Sequence, residues 1–408
     1  MKSAASTIDR PNDGPVIVGT ARLVRHAYAG GDLGPLWQKL LARFSADGQD
    51  AAAMLDMSVI LQVAGHREKA LQMQQNALRI ERCFTQPISQ SEGLRVLVFM
   101  TPGDLMANTP VDFLLEGAEA TLLLLFVDAQ TEALHDIPDH DVAFIAIGES
   151  AENRPVLENL RHLLAGWKGP ILNNAPERIM ALTRDAVAAT FADEPTVLAP
   201  PTLRAGRETL HRLAAGESEG AANLPGETFP LIVRPIGSHA GQGVEKIDGP
   251  DALSAYLAAR PEQEFYIAGF IDYRSPDGLF RKQRIAFIDG KAYASHLAIS
   301  EHWMVHYLSA SMTEKPERRA AEAAWMESFH TDFAVRHAAA FEAISRRIGL
   351  DYFGIDCAQM QDGRLLLFEA DTAMIVHAMD PEDLFPYKKP AMRELFGAFQ
   401  AALQRSAG

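Results

Sequence analysis

Three acidic residues in the carboxyl-terminal part of the chain have the types and spacing that a cation site requires. Residues 352–371 predict a β-hairpin with an apolar strand, a turn at 361–364 and a second apolar strand. Glu369 and Asp371 are two residues apart and therefore share one face of the second strand, and the hairpin brings Asp356 opposite them. Burying three carboxylates is costly unless a positive charge neutralises them. We expect a divalent cation such as Mg²⁺ there, with a solvent-facing strand end carrying ordinary acids as the alternative.

A glycine-rich turn predicts an anion site elsewhere in the chain. Residues 229–247 form a strand, a turn with three glycines among residues 237–243, and a second strand. Glycines let backbone N–H groups face an anion at close range, and Arg234 near the end of the first strand adds positive charge. The pattern predicts a lid over phosphates, and an ordinary glycine-rich turn is the alternative.

A further predicted hairpin, between these two segments, carries basic residues. Residues 280–300 predict two strands with a turn at Asp289 and Gly290. Lys282 and Arg284 share one face by the two-residue period of a strand. Just before it, the predicted strand at 263–272 could offer backbone groups to an adenine, with Asp272 placed for a ribose hydroxyl.

Four histidines could contact a substrate. His302 and His306 are spaced i,i+4, but a zinc pair without a third ligand is improbable. We expect these two, together with His296 and His377, to contact an acidic substrate; surface or packing roles are the alternative.

Composition excludes several classes of function. The chain has 408 residues, is 48% hydrophobic and carries a formal net charge of −15, which argues against nucleic acid as a partner. Its two cysteines indicate neither a disulfide framework nor a zinc site. The first residues contain no apolar signal-peptide core, and the longest apolar run, 122–127, is too short to span a bilayer. We expect a cytoplasmic enzyme without a membrane partner.

The amino-terminal part predicts helices. Residues 1–35 are expected to be a loosely held lead-in, and 54–81 predict a helix, a turn at 64–66 and a second helix. Gly65, Ala70, Ala77 and Leu78 fall where a tetratricopeptide repeat places its packing residues. The alternative is a plain helical hairpin on the main body or on a second subunit, so a protein partner or a homodimer through these helices is possible.

A parallel sheet is predicted next. Strands at 95–100, 121–128 and 142–150 alternate with helical segments, which places the loops 101–103 and 148–150 at the ligand edge of the sheet. Residues 176–229 predict a helix containing Arg184, a proline-rich connector and another helix.

Taken in order, the basic strand with its glycine-rich turn, the acid-bearing linker strand, the arginine-bearing hairpin and the carboxylate hairpin resemble the ATP-grasp superfamily. The resemblance covers about residues 95–400 and is to glutathione synthetase and RimK-like carboxylate–amine ligases, which use ATP to phosphorylate a carboxylate that a nucleophile then attacks. It implies ATP and Mg²⁺ as cofactors, and small-molecule or peptide carboxylate and amine substrates. A degenerate protein that only binds nucleotide is a second hypothesis, because Arg234 and Asp371 stand where the family usually has lysine and asparagine. A phosphotransferase is a third.

The resemblance also implies roles for individual residues. Arg284 and Lys282 would act on the acyl-phosphate, and Asp356, Glu369 and Asp371 would bind Mg²⁺. The implied nucleotide contacts are Arg184, Arg234, Ser238, His239, Gly241, Gly243, Glu264, Tyr266, Ile267 and Asp272.

The predicted fold class is α/β of the grasp type. We expect a lead-in with a tetratricopeptide-like helical hairpin at 1–90 and a parallel-sheet domain at 91–175. A small grasp subdomain with the glycine-rich lid would follow at 176–272, and a carboxyl-terminal grasp subdomain with the Mg²⁺ site at 273–408.

Overall fold

The computed structural model describes residues 13–91, 93–217, 229–238, 241–307 and 310–408. Four helices come first: α1 (Thr20–Tyr28), α2 (Gly34–Ala46), α3 (Ala51–Val63) and α4 (Arg67–Ile80). Helix α1 was not predicted, because the flanking glycines and prolines in 1–35 indicated a loose lead-in. The predicted turn at 64–66 does separate α3 from α4, and Gly65 takes a φ of 80° there.

The helical hairpin of α3 and α4 packs on the main body. Residues 51–60 of α3 are buried, and apolar side chains of α3 and α4 share one core with the next sheet. Small residues such as Ala52 and Ala77, both fully buried, allow this close approach. A plain helical hairpin describes this packing, and the tetratricopeptide-like interpretation stays a prediction.

A five-stranded sheet follows, in the order β1-β3-β2-β4-β5. β2, β3, β4 and β5 run parallel, as the alternation of apolar runs and helices predicts, and β1 adds antiparallel to β3. The short β1 contains Gln and Pro and gave no strand signal. The elements are β1 (Cys83–Pro87), β2 (Leu94–Met100), α5 (Val111–Leu114), β3 (Ala120–Phe126), β4 (Val142–Ile145), α6 (Arg154–Leu163) and β5 (Ile171–Leu172).

The connection to the second sheet differs from its prediction. The first predicted helix is split into α7 (Pro176–Met180) and α8 (Arg184–Thr190), followed by β6 (Val197–Leu198). The second predicted helix begins instead as a strand, β7 (Thr202–Gly206), and turns helical in α9 (Arg207–Ala214). Strand pairing overrides the local pattern here, because β7 bonds along its length to a later strand.

The second sheet is antiparallel, has the order β7-β10-β8-β9, and has its own core. Its remaining elements are β8 (Leu231–Pro235), β9 (Glu245–Ile247), α10 (Pro250–Ala258) and β10 (Glu264–Gly269).

The third sheet contains both predicted hairpins, in the order β12-β11-β13-β14-β6. Asp289 and Gly290 have φ values of 49° and 76°, the left-handed pair that a tight hairpin turn favours. Its elements, after β6, are β11 (Phe280–Ile288), β12 (Lys291–Ser300), α11 (Pro316–Glu327), α12 (Phe333–Arg336), α13 (Ala338–Ile348), β13 (Tyr352–Gln359), β14 (Leu365–Asp371) and α14 (Lys388–Ala407).

The architecture is therefore mixed α/β with one mainly parallel and two mainly antiparallel sheets, which confirms the predicted fold class. Among the described residues, no helix combines the length and apolarity needed to cross a bilayer.

Candidate active site

A cleft with a cavity of about 600 Å³ lies between the second and third sheets. Tyr28, the last residue of α1, and Met106, from a loop of the first sheet, also line it. The predicted site residues that line it are Arg184, Arg234, Gly241, Tyr266, Ile267, Lys282, Arg284, His296, His306, Asp356, Glu369, Asp371 and His377.

Asp356 is tied to the two basic residues of β11. Arg284 is its register partner across the β11–β13 pair, and Lys282 lies two residues away on the same face. Arg284 Nε donates to Asp356 Oδ1 at 2.8 Å, and Lys282 Nζ donates to Oδ2 at 2.9 Å. Burial alone would raise the pKa of Asp356, but the charges of Arg284 and Lys282 hold it well below its usual range. The carboxylate is thus ionised, fully buried and neutralised by protein cations.

Glu369 also forms an ion pair, with Arg184 from another element. Its register partner is Asp356 across the β13–β14 pair, and Arg184 Nη2 donates to its carboxylate. Burial would raise the pKa of Glu369, but the charges of Arg184, Lys282 and Arg234 together lower it. Arg184 reaches the cleft because it is the first residue of α8, which packs against β14.

Asp371 has no such counter-charge. It accepts a hydrogen bond from the Ala373 backbone N–H, and no lysine or arginine of the described chain forms an ion pair with it. Burial, followed by the charge of Glu369, raises the pKa of Asp371 to about 6. A cation bound nearby would stabilise the ionised form of this carboxylate.

The opposite wall has an unpaired positive charge. The Arg234 guanidinium donates to Ser238 Oγ, with Nε at 3.3 Å, and to the Ser238 carbonyl oxygen. Within the described ranges it makes no ion pair, and burial together with the neighbouring Arg184 lowers its pKa to about 10. Arg234 therefore stays protonated at neutral pH while lacking an anion, which is costly unless a ligand supplies one.

The glycine-rich turn begins beside this arginine. Gly237, Gly241 and Gly243 have φ between 69° and 78°, values that L-residues adopt rarely. A Cβ on Gly243 would also lie 2.7 Å from Pro235 Cδ. Neither Ser238 nor Gly243 lines the cleft, although Ser238 contacts Arg234. The prediction for His239 lies outside the described residues.

The backbone that is available to an adenine lies further along the chain than predicted. Because β10 is bonded on one side to β7 and on the other to β8, its backbone has no free edge for an adenine. The N–H of Phe270, the residue after β10, bonds to the Pro230 carbonyl. The next residue, Ile271, lines the cleft and has no backbone hydrogen bond within the described chain, so its backbone is available to an adenine. The apolar walls around this position are Ala199, Ile232, Ala268, Leu366 and Phe368.

Three predicted residues lie away from the cleft. Glu264 is exposed at the start of β10, and His302 does not contribute to the wall. Asp272 is 43% exposed and binds Arg274, with Nε 2.9 Å from Oδ1. Their roles stay predictions, without support from the geometry.

The three cleft histidines are neutral groups. Burial is the main cause that lowers the pKa of each, well below the ordinary value for His296 and to about 4 for His377. Positive charge for an acidic substrate therefore comes from Lys282 and Arg284, and the histidines can offer it only neutral hydrogen bonds.

Several residues in or beside the cleft were not predicted as contacts. Glu149, in the predicted loop 148–150, lies near Asp371, and burial followed by that charge raises its pKa to about 7. Tyr28 comes from the unpredicted helix α1 and gave no sequence signal. The others are Tyr307, which follows the predicted His306, and Asp380 and Lys388, which follow His377 along the chain.

Comparison with known proteins gives matches among solved structures alone. No protein-family model and no curated protein matches the chain. A RimK domain ATP-grasp protein from Sphaerobacter thermophilus is 16% identical with a TM-score of 0.44 and covers 76% of this chain and 99% of its own. D-alanine–D-alanine ligase from Bacillus anthracis, complexed with ATP, is 15% identical with a TM-score of 0.42 over 77% and 97%. VanG D-Ala:D-Ser ligase from Enterococcus faecalis is 12% identical with a TM-score of 0.45 over 76% and 99%.

Proposed function

We propose that this chain is an ATP- and Mg²⁺-dependent ligase that joins a carboxylate to an amine through an acyl-phosphate. The observation that carries the proposal is the unpaired charge on each wall of one cleft. Within the described chain, neither Arg234 nor Asp371 forms an ion pair with an oppositely charged side chain. A triphosphate with its divalent ion supplies both counter-charges at once.

The second sheet would hold the phosphates. Arg234 is a planar donor with no carboxylate to compete, and the turn at 237–243 has the backbone freedom to aim N–H groups at an anion. The base would lie between the apolar walls, with its edge against the linker at Ile271.

The carboxylate hairpin would hold the metal. Among the described residues, no three His, Cys, Asp or Glu side chains come together as a metal cage. Mg²⁺ does not need one, because it is commonly held by one or two carboxylates together with phosphate oxygens. Glu369 and Asp371 fit this donor set, whereas both oxygens of Asp356 are already taken by Lys282 and Arg284. When bound, Mg²⁺ would neutralise charge on the transferring phosphoryl group.

Lys282 and Arg284 would position the substrate carboxylate. Asp356 holds both cations on one face, and Arg284 is further fixed by its bond from Nη1 to the Ile375 carbonyl at 3.1 Å. Such preorganised charge favours the build-up of negative charge on an acyl-phosphate. No covalent nucleophile of the protein is needed, and Cys357 is unsuited to the role because burial raises its thiol pKa well above the usual range.

Hydroxylamine tests this proposal without knowledge of the natural amine. It attacks acyl-phosphates to give hydroxamates, so a panel of carboxylates with ATP, Mg²⁺ and hydroxylamine should give hydroxamate, ADP and phosphate in equal amounts. Omission of the carboxylate is the control. ATP binding without ADP release across the panel would favour the degenerate nucleotide-binding protein. A stable phosphorylated product without hydroxamate would favour a phosphotransferase.

A further inference from the structure

A second group of polar residues lies in the cleft beyond Arg284, outside the proposed phosphate and metal contacts. The His296 ring lies 4.5 Å from that of Tyr307, and Lys388 Nζ lies 4.1 Å from the centre of the Tyr307 ring. Lys388 Nζ is also 2.7 Å from Asp380 Oδ2 and 3.4 Å from Glu322 Oε1. Two carboxylates thus face one ammonium at this end of the cleft.

Lys388 is already neutralised within the protein. It donates to Asp380 Oδ2 and to the Tyr307 hydroxyl, and Glu322 Oε1 forms an ion pair with it at 3.4 Å. Its side chain is only 7% exposed. A substrate carboxylate would therefore have to compete with these partners and would be repelled by the two acids beside the lysine.

Asp380 does have spare capacity. Oδ2 is bound to Lys388, but among the described residues Oδ1 has a single long contact of 3.4 Å, from the Tyr28 hydroxyl. Glu322 is different, because its oxygens also accept from the Leu297 N–H at 2.9 Å and the Tyr387 hydroxyl at 2.7 Å. Oδ1 of Asp380 is therefore the acceptor at this end of the cleft that is open to a ligand cation.

Aromatic rings lie near this carboxylate. The Tyr28 ring, whose hydroxyl contacts Oδ1, lies 6.0 Å from the ring of His377, and the Tyr307 ring packs on Lys388, the partner of Oδ2. His377 accepts the Met379 backbone N–H at Nδ1 and is uncharged at neutral pH. Neutral rings around a carboxylate favour an organic cation through the negative faces of their π systems.

We propose that Asp380 binds an ammonium group of the substrate, and that Tyr28 of α1 forms the wall that closes over it. This inference rests on the proposed function and names the substrate class: an amine that carries its positive charge away from Lys282 and Arg284. The Tyr28 side chain is 44% exposed. It belongs to helix α1, and buried carboxylates bind the backbone N–H groups at the start of this helix, which fixes the position of Tyr28.

Simple ions test this assignment on the full chain. With Mg²⁺ and ADP present, n-alkylammonium ions from methyl to hexyl and alkanoates of the same lengths are titrated by calorimetry. The wild type should bind the ammonium series in preference to the alkanoates, and Asp380→Asn should weaken the best ammonium ion at least about tenfold. Tyr28→Ala should weaken it in the same direction, and Tyr28→Phe, which keeps the ring, should weaken it less.

Asp383→Asn is the matched control, because Asp383 is exposed three residues along the chain and does not line the cleft. It should bind the ammonium ions as the wild type does. Unchanged ADP affinity in Asp380→Asn would show that the variant is folded. Equal ammonium binding by wild type and Asp380→Asn, preference for alkanoates, or no saturable ammonium binding would each overturn the assignment. If ammonium ions bind as expected while no carboxylate gives hydroxamate, the ligase proposal fails and the ammonium site stands.

Discussion

At the scale of single residues, the two walls of the cleft differ in how their charges are balanced. Arg234 is buried and makes no ion pair in the described chain, so the free protein bears a cost that ATP would relieve. Arg234→Met should therefore weaken ATP binding about ten- to hundredfold, the range expected for loss of a hydrogen bond to a charged group. The same variant should raise the melting temperature of the nucleotide-free protein. Calorimetry with ATP and thermal unfolding without it give the two values.

Arg274→Met is the control for this experiment, since Arg274 is exposed and pairs with Asp272 outside the cleft. It should change neither value. A less stable Arg234→Met protein with unchanged ATP affinity would mean that Arg234 has a structural role only.

Substitution of the three acids should have two different effects, one on Mg²⁺-dependent turnover and the other on stability. Asp371→Asn and Glu369→Ala should raise the Mg²⁺ concentration needed for half-maximal ATP turnover, or abolish turnover, because they remove proposed metal contacts. Asp356→Asn should instead lower the free energy of unfolding by about 3–5 kcal/mol, since it leaves Lys282 and Arg284 buried with a missing partner. Titration with Mg²⁺ and denaturant unfolding of all three variants check this division. Unchanged kinetics in Glu369→Ala would contradict the metal assignment.

At the scale of secondary structure, sequence patterns predicted the elements that carry their own signals. The hairpins at 280–300 and 352–371 combine period-two apolar residues with glycine turns, and both form as predicted. Strand β7 and helix α1 lack such signals. Pairing with β10 stabilises β7, and carboxylates from residues distant in the sequence hold the start of α1. The sequence therefore indicated Arg234 and Asp371 but not Tyr28, whose place in the cleft depends on tertiary contacts alone.

The start of α1 should give the protein a pH-dependent stability. Asp56 accepts the Val18 and Gly19 N–H groups, and burial raises its pKa to about 6. The folded state therefore holds this proton more tightly than the unfolded chain does. The stability that follows is fully present below pH about 4 and is lost as the pH rises through about 6.

Asp56→Asn removes this titration. The free energy of unfolding of the wild type relative to the variant should therefore fall by up to about 3 kcal/mol between pH 4 and pH 7. Denaturant unfolding across that range measures the difference. A difference that is constant or rises with pH would contradict the account of Asp56.

At the scale of the whole molecule, the amino-terminal helices are part of the main fold. Met54, Leu55 and Leu78 share a core with Val96 and Leu122 of the first sheet. A chain of residues 81–408 would expose that face, so we expect it to be insoluble or to lack cooperative unfolding. Solubility and thermal unfolding measure this.

Residues 1–80 supplied on a second chain are the control, and they should restore soluble protein. A soluble, cooperatively folded 81–408 chain with wild-type ATP affinity would mean that the helices form a separate module. The predicted partner or homodimer through these helices stays a prediction, which light scattering of the full chain checks.

The ion pair of Glu369 has a consequence for the order in which ligands arrive. In the free protein this acid already has an internal counter-ion, so a bare magnesium ion must compete with Arg184 for it. A nucleotide changes that competition, because its phosphates can draw the arginine away while its own metal moves onto the vacated oxygens. The cleft would thus bind the metal–nucleotide complex more tightly than it binds magnesium alone.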